Sequence, residues 1–177
     1  MAKAPQELAK QASKLESNPV WWEEDWPVFS VSWEDMMAYA AWKTTREGLL
    51  FSLPHELFWE KSSRGTDGRY YPWGKDLDAT FCNMNQSHEE GMRATPADSF
   101  PIDESPYGVR GLCSNVRDQN LNDPGEAFPD WRLCRGGDWT HTGIHIRSSS
   151  RTGSSTSFVS HDLGGRLSWF SRCRTCE

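Results

Sequence analysis

Apolar and polar positions follow two periods along this chain, separated by a long stretch with no period at all. Residues 4–17 place Leu8, Ala12 and Leu15 on one narrow face, which predicts a short polar helix stopped by Asn18-Pro19. Trp21, Trp22 and Trp26 follow in an acidic loop, and Val28 to Val31 reads as a short strand. From Ser32 the period becomes helical. Ser32-Trp33-Glu34-Asp35 fits an N-cap with an acidic first turn, and Met36, Met37, Tyr39, Ala40 and Trp42 form the apolar face up to about Arg46, with Gly48 as the stop. Leu53-Pro54 opens a second helix over His55 to Ser63, with Leu57, Phe58 and Lys61 at helical spacing and Gly65 as its C-cap.

Between Thr66 and Asp130 periodicity is replaced by Gly, Pro, Asn and Asp punctuation. Tyr70, Tyr71, Trp73, Phe81, Phe100 and Tyr107 interrupt that stretch, so it is expected to be an ordered, loop-rich core. Period-two runs return at Trp131 to Cys134, Ile144 to Ser150 and Gly165 to Phe170. Two main helices and short antiparallel strands around a loop-rich centre make an α+β fold.

Composition sharpens this picture. A chain of 177 residues suits one domain, and its ten tryptophans favour a core built on aromatic plates. No apolar run reaches the roughly 18 residues of a membrane span. The first residues lack a secretory h-region, so the default expectation is a cytoplasmic protein without membrane contact. The net charge of −6 divides into −10 over residues 1–131 and +4 over 132–177, where arginine is the only Lys/Arg type present. Those arginines either pair with the acidic remainder of the domain or face an anionic ligand. The acidic balance disfavours nucleic acid as a partner. Five cysteines (Cys82, Cys113, Cys134, Cys173, Cys176) read as reduced thiols, with metal or redox spacing only at Cys173-Arg-Thr-Cys176.

The ordered run PVFSVSWEDMMAYAAW, LPHELFWEKSSRGTDGRYYPWG, SFPIDESPYGVRG and LCRGGDW resembles the formylglycine-generating enzyme (sulfatase-modifying factor) family from about Pro27 to Leu167. The resemblance implies a variant of the C-type lectin fold over residues 27–170, with 1–26 as a lead-in and 171–177 as a tail. Family members carry a further block of strands before the position of Pro27, which leaves open a fragment of a longer protein or a trimmed lineage. Enzymes of the family bind copper(I) through two cysteines shortly after the RGGS-aromatic motif. The matching segment, Arg135 to Arg147, contains none, so no copper is expected. His141 and His145 stand near those positions, but on a strand their spacing would hold them about 13 Å apart, too far for one ion. The resemblance also implies structural calcium. A first set maps onto Asn83, the Met84 carbonyl, Glu90 and the Met92 carbonyl. A second, weaker set maps onto Gly111, Ser114, Val116 and Asp118, with Gly111 replacing a family Asn or Asp.

Residues 140–162 contain no Lys, Glu, Gln, Met, Trp or Asn and are crowded with Ser, Thr, Gly, His and Arg. Such residues make adaptable contact surfaces at low entropic cost. Arg147 and Arg151 match a family R-x-x-x-R pattern and are expected to be structural. The expected ligand contacts are Trp139, His141, Thr142, His145, Ser149, Ser154, Thr156, Phe158 and His161. The composition is similar to the variable regions of proteins diversified by retroelements, and it also fits an ordinary polar loop. The expected function is therefore a non-catalytic module binding a protein or other macromolecular ligand. A copper oxidase lacking its cysteines, a sensory or scaffold domain of a signalling protein, and a purely structural domain are the alternatives.

Overall fold

A computed structural model describes residues 24–170. The helix expected over 4–17, Trp21, Trp22 and the Cys173/Cys176 pair lie outside the described residues. Helix α1 spans Trp33–Glu47. The Asp35 N–H donates to Ser32 Oγ at 3.1 Å, and the Ser32 N–H donates back to the Asp35 carboxylate at 3.3 Å, so two free N–H groups of the first turn are satisfied reciprocally. Gly48 closes the helix in the left-handed region with its N–H on Thr44 O. Met36 and Ala40 are buried, and Met36 packs with Val31 and Leu53 while Val28, Trp33, Met37 and Leu167 lean on that cluster. Strand β1 (Leu50–Ser52) follows, then helix α2 (Glu56–Arg64).

Helix α2 has the expected place and the opposite face. Leu57 and Phe58 are 63% and 62% exposed, whereas Glu56, Trp59 and Ser63 are buried. What the helix packs against is charged. Arg151 grips the Glu56 carboxylate through Nε at 2.7 Å and through Nη2, and the fully buried Arg135 pairs with Glu60. The Trp59 indole N–H donates to Asp118 Oδ2 at 2.7 Å, and Ser63 Oγ meets Ser148 Oγ at 2.6 Å. Arginines on the sheet draw carboxylates inward, and this overrides the apolar spacing of the helix.

The main sheet has the order β4-β3-β2-β5, from β2 (Arg117–Gln119), β3 (Trp131–Arg135), β4 (Arg151–Ser155) and β5 (Leu163–Gly164). β3 pairs antiparallel with β4 from Trp131↔Ser155 to Arg135↔Arg151, β2 pairs antiparallel with β3, and β5 joins β2 in parallel. β6 (Ser168–Phe170) leaves to pair antiparallel with β1. The α+β class holds, with small mixed sheets.

Three expected strands are redrawn. Val28 to Val31 keeps only a bridge between Phe29 and Gly164, where a Cβ on Gly164 would stand 2.1 Å from Val28 O. Gly165 to Phe170 keeps only β6 at its end, while β5 lies just before it and serves the other sheet. Ile144 to Ser150 is a series of turns rather than a strand, and the strand begins only at Arg151. Its cause is the seat of Ile146. That side chain is fully buried against Gly137, where a Cβ would lie 2.3 Å from Ile146 Cγ2, and the Cys113 thiol donates to Ile146 O at 3.1 Å. The aperiodic centre is ordered as expected, around Tyr71, Cys82, Met84, Cys113 and Ile146 with Trp73 and Ala79 against them.

Candidate binding face

The turn after β3 is organised by Asp138, whose side chain is fully buried. Its Oδ1 accepts from the Thr140 N–H at 2.8 Å and from Thr140 Oγ1 at 2.5 Å, an Asx-type turn that starts the reversal. Its Oδ2 stands 3.0 Å from Arg117 Nε and 2.9 Å from His141 Nδ1. The first is an ion pair and the second a close polar contact, and in both the N–H direction lies off the line of a hydrogen bond. Burial pushes the Asp138 pKa up, but His141 and Thr140 overcome that effect and hold the carboxyl well below its usual range. Arg117 also binds Asp162 at 2.7 Å, which ties this turn to the segment before β5.

Because residues 141–146 turn, the two histidines meet. Their ring centroids are 5.1 Å apart, at an interplanar angle of 32°. The separation expected for a strand is thus corrected, since a turn folds positions i and i+4 onto each other. Trp139 is buried, edge-on to Phe29 at 5.6 Å and tilted against His161 at 5.6 Å, so it supports the surface from beneath. Thr142, His145, Ser149, Phe158 and His161 are exposed. Ser154 is half-buried, with its hydroxyl 3.4 Å from the Cys134 thiol. Thr156, also half-buried, is tied down: its N–H donates to Asp130 O at 2.9 Å and its Oγ1 donates to Glu34 at 3.0 Å. The expected contacts therefore gather in two subsets, one on the Trp139–His145 turn with His161 and one along β4 and its continuation.

Arg151 serves structure through Glu56, as expected, whereas Arg147 lies over the Tyr70 ring at 5.2 Å. The buried-arginine role belongs to Arg135. Arginines of residues 132–177 pair with Glu56, Glu60 and Asp118, so the domain's own acids neutralise much of the basic C-terminal quarter. Asp138 and the Glu56–Glu60 carboxylates escaped the sequence reading as organising residues. The Asp-x-Thr spacing at 138–140 is the one signal that could have exposed the first of them.

Cys82, Cys113 and Cys134 are buried free thiols. Burial pushes the thiol pKa of Cys113 well up, and burial raises that of Cys134 despite the Ser154 hydroxyl beside it. Neither is a thiolate nucleophile near neutral pH.

A cavity of about 310 Å³ lies between the loop core and the sheet, lined by Asn83, Phe100, Asp103, Ser114, Asp118 and Arg166 among others. Burial raises the Asp103 pKa to about 7, against the Cys113 N–H, which donates to its Oδ2 at 3.2 Å. Asp103 Oδ1 and Ser114 Oγ are buried and unpartnered there.

In both expected calcium sets, side-chain oxygens lie against nitrogen groups of the protein. Asn83 Oδ1 faces His88 Nε2 at 3.0 Å, and Asn83 Nδ2 donates to Arg93 O, Thr95 Oγ1 and Asn115 Oδ1. Glu90 pairs with Arg93 at 3.1 Å, and Met92 is exposed. In the second set a guanidinium holds two of the four members: Arg166 Nε donates to Asp118 Oδ2 at 2.5 Å and its Nη2 donates to Gly111 O at 2.6 Å. As arranged, the Asn83, Glu90, Asp118 and Gly111 oxygens of the two sets face nitrogen groups of the protein itself.

Comparison with known proteins agrees with this architecture. The profile of the sulfatase-modifying factor enzyme 1-like domain matches residues 6–169. The inactive C-alpha-formylglycine-generating enzyme 2 of Bos taurus is 31% identical over 156 residues, which is 80% of this chain and 50% of that protein. The chain thus spans about half the length of such relatives. Among solved structures, PvdO from Pseudomonas aeruginosa superposes with a TM-score of 0.76 at 21% identity, covering 86% of this chain and 65% of that one. Treponema denticola variable protein 1 superposes with a TM-score of 0.71 at 18% identity, covering 88% and 76%. At these identities the two structures speak for fold alone.

Proposed function

The chain belongs to the sulfatase-modifying factor enzyme 1-like domain family, and from that premise we propose that it is a non-catalytic ligand-binding module. The observation that carries this reading is the chemistry of the turn after β3. Where the family's copper-binding cysteines would stand there is no thiol, and the described thiols are buried. What replaces reactive chemistry is a braced display. Asp138 and Ile146 pin the turn from below, Trp139 packs beneath it, and Thr142, His145, Ser149, Phe158 and His161 face solvent. A rigid support limits the ordering cost of binding and leaves the exposed positions free to change without loss of the fold. A protein or other macromolecular ligand suits such a surface.

Within this class the sharper reading is a variable protein diversified by a retroelement. The composition of residues 140–162 supports it, as does the shared fold with the Treponema denticola variable protein. Sequencing the gene across many isolates of its source tests it. Substitutions confined to exposed positions of 139–161, with Asp138, Trp139 and Ile146 constant, are the expected result. Uniform variation along the chain, or none in this segment, overturns the diversification reading. Incubation with a cysteine peptide, copper and oxygen tests the wider one, and no formylglycine should form; its appearance would make the protein an oxidase.

A further inference from the structure

We infer that His141 and His145 form a surface site for a divalent transition metal of the zinc class. The inference does not depend on the display reading, because the site is assayed with metal alone. Its basis is the distance between the rings. Zinc–nitrogen bonds of about 2.0 Å place an imidazole centroid about 3.2 Å from the ion, so two such rings at a tetrahedral angle stand about 5.2 Å apart. The observed separation is 5.1 Å, in a turn whose backbone is held by the His141 N–H on Asp138 O and the His145 N–H on Thr142 O.

Nitrogen chemistry at His141 fits the same use. Its Nδ1 is buried 2.9 Å from Asp138 Oδ2, while the side chain as a whole keeps 26% of its surface. The exposed part of the ring is therefore the far edge, which carries Nε2. A carboxylate 2.9 Å from Nδ1 favours the tautomer with its proton on that nitrogen, which leaves the Nε2 lone pair for a metal, as in carboxylate–histidine–zinc arrangements. Asp138 is a positioning residue here, and it is itself fixed by Thr140 and Arg117. His145 is exposed, and its ring lies beside that of His141 at an interplanar angle of 32°.

Two imidazoles alone make an open site. No group of three His, Cys, Asp or Glu side chains surrounds a common point among the described residues. Asn85 braces the turn from behind, its N–H donating to His141 O at 3.1 Å. Water or a donor from a bound molecule fills the remainder. Imidazole ligands suit zinc, nickel and copper(II), whereas calcium takes oxygen donors.

The test titrates zinc chloride into the full chain by calorimetry, with Cys173→Ser and Cys176→Ser in every sample so that the C-terminal cysteine pair contributes nothing. One equivalent is expected to bind, and His145→Gln and His141→Gln should each weaken it at least about tenfold. Asp138→Asn should weaken it by about 10- to 100-fold. His145→Gln decides the matter because that side chain is exposed and its loss leaves the buried pairs intact. Histidine nitrogen resonances should also shift on zinc addition at Nε2 of His141. Unchanged affinity in His145→Gln, or no stoichiometric zinc uptake by the parent chain, overturns the site and leaves the pair as stacked imidazoles only.

Discussion

The two helices start alike and are held by opposite chemistry. Each has a side-chain N-cap and a glycine stop, and each carries apolar residues at helical spacing. Helix α1 buries that spacing, with Met36 and Ala40 on an apolar floor of Val31 and Leu53. Helix α2 exposes Leu57 and Phe58 and docks by Glu56, Glu60 and Trp59 onto Arg135, Arg151 and Asp118. An apolar stripe thus predicts a buried face only where the neighbouring element offers apolar surface. Where the neighbour presents guanidinium groups, the carboxylates turn in, because an arginine buried without a partner costs more than two exposed apolar side chains.

The largest expected break comes on the charged side. Removing the buried guanidinium in Arg135→Met leaves Glu60 with Arg64 alone and Glu56 with Arg151 alone, and should cost about 3 kcal/mol in urea unfolding. The double variant Arg135→Met/Glu60→Met should recover a good part of that loss, since paired apolar replacements are tolerated where single ones are not. A single variant as stable as the parent would mean that the network does not hold α2.

Asp103 sharpens the comparison as a buried acid whose Oδ1 has no partner. Its folded-state pKa of about 7 lies above the ordinary value of 3.8, so between those two values the folded chain keeps a proton that the unfolded chain releases. Stability should therefore fall as pH rises from about 4 to about 7 and level off above, by at most about 4 kcal/mol from this group. Asp103→Asn should flatten that slope, as followed by urea midpoints across the pH range. An unchanged profile would assign the slope to other groups.

On the apolar side the contrast is between helices. Met36→Ala should cost at least about 2 kcal/mol, whereas Leu57→Ala, at a position equally apolar in sequence, should stay within about 0.5 kcal/mol. Equal costs would mean that α2 buries its apolar spacing in solution.

Much of the scaffold was legible in advance for a local reason. The Ser32–Asp35 box, the Gly48 and Gly65 stops and the β3 strand are settled within a few residues of chain, so spacing and residue type suffice to place them. The aperiodic centre was also legible as ordered, because its aromatics had to be buried somewhere. The binding face was less so. Its exposed residues were named from composition, but a strand was expected where Ile146 locks onto Gly137 and turns the chain.

The sequence by itself determined the α+β class, the helix limits, the absence of thiols from residues 135–147 and the polar character of residues 140–162. Those properties reside in single residues or in spacings of a few positions. Tertiary structure alone decided that Glu56 and Glu60 face inward, that Arg166 binds Asp118 and Gly111 O, and that His141 meets His145. Each of these depends on a contact between the side chain or backbone and a distant segment (Arg135 and Arg151 for the helix, Asp118 for Arg166, Cys113 for the turn at Ile146). Such contacts exist only once the chain has closed on itself, and there a buried charge or a close-packed methyl group outweighs local periodicity.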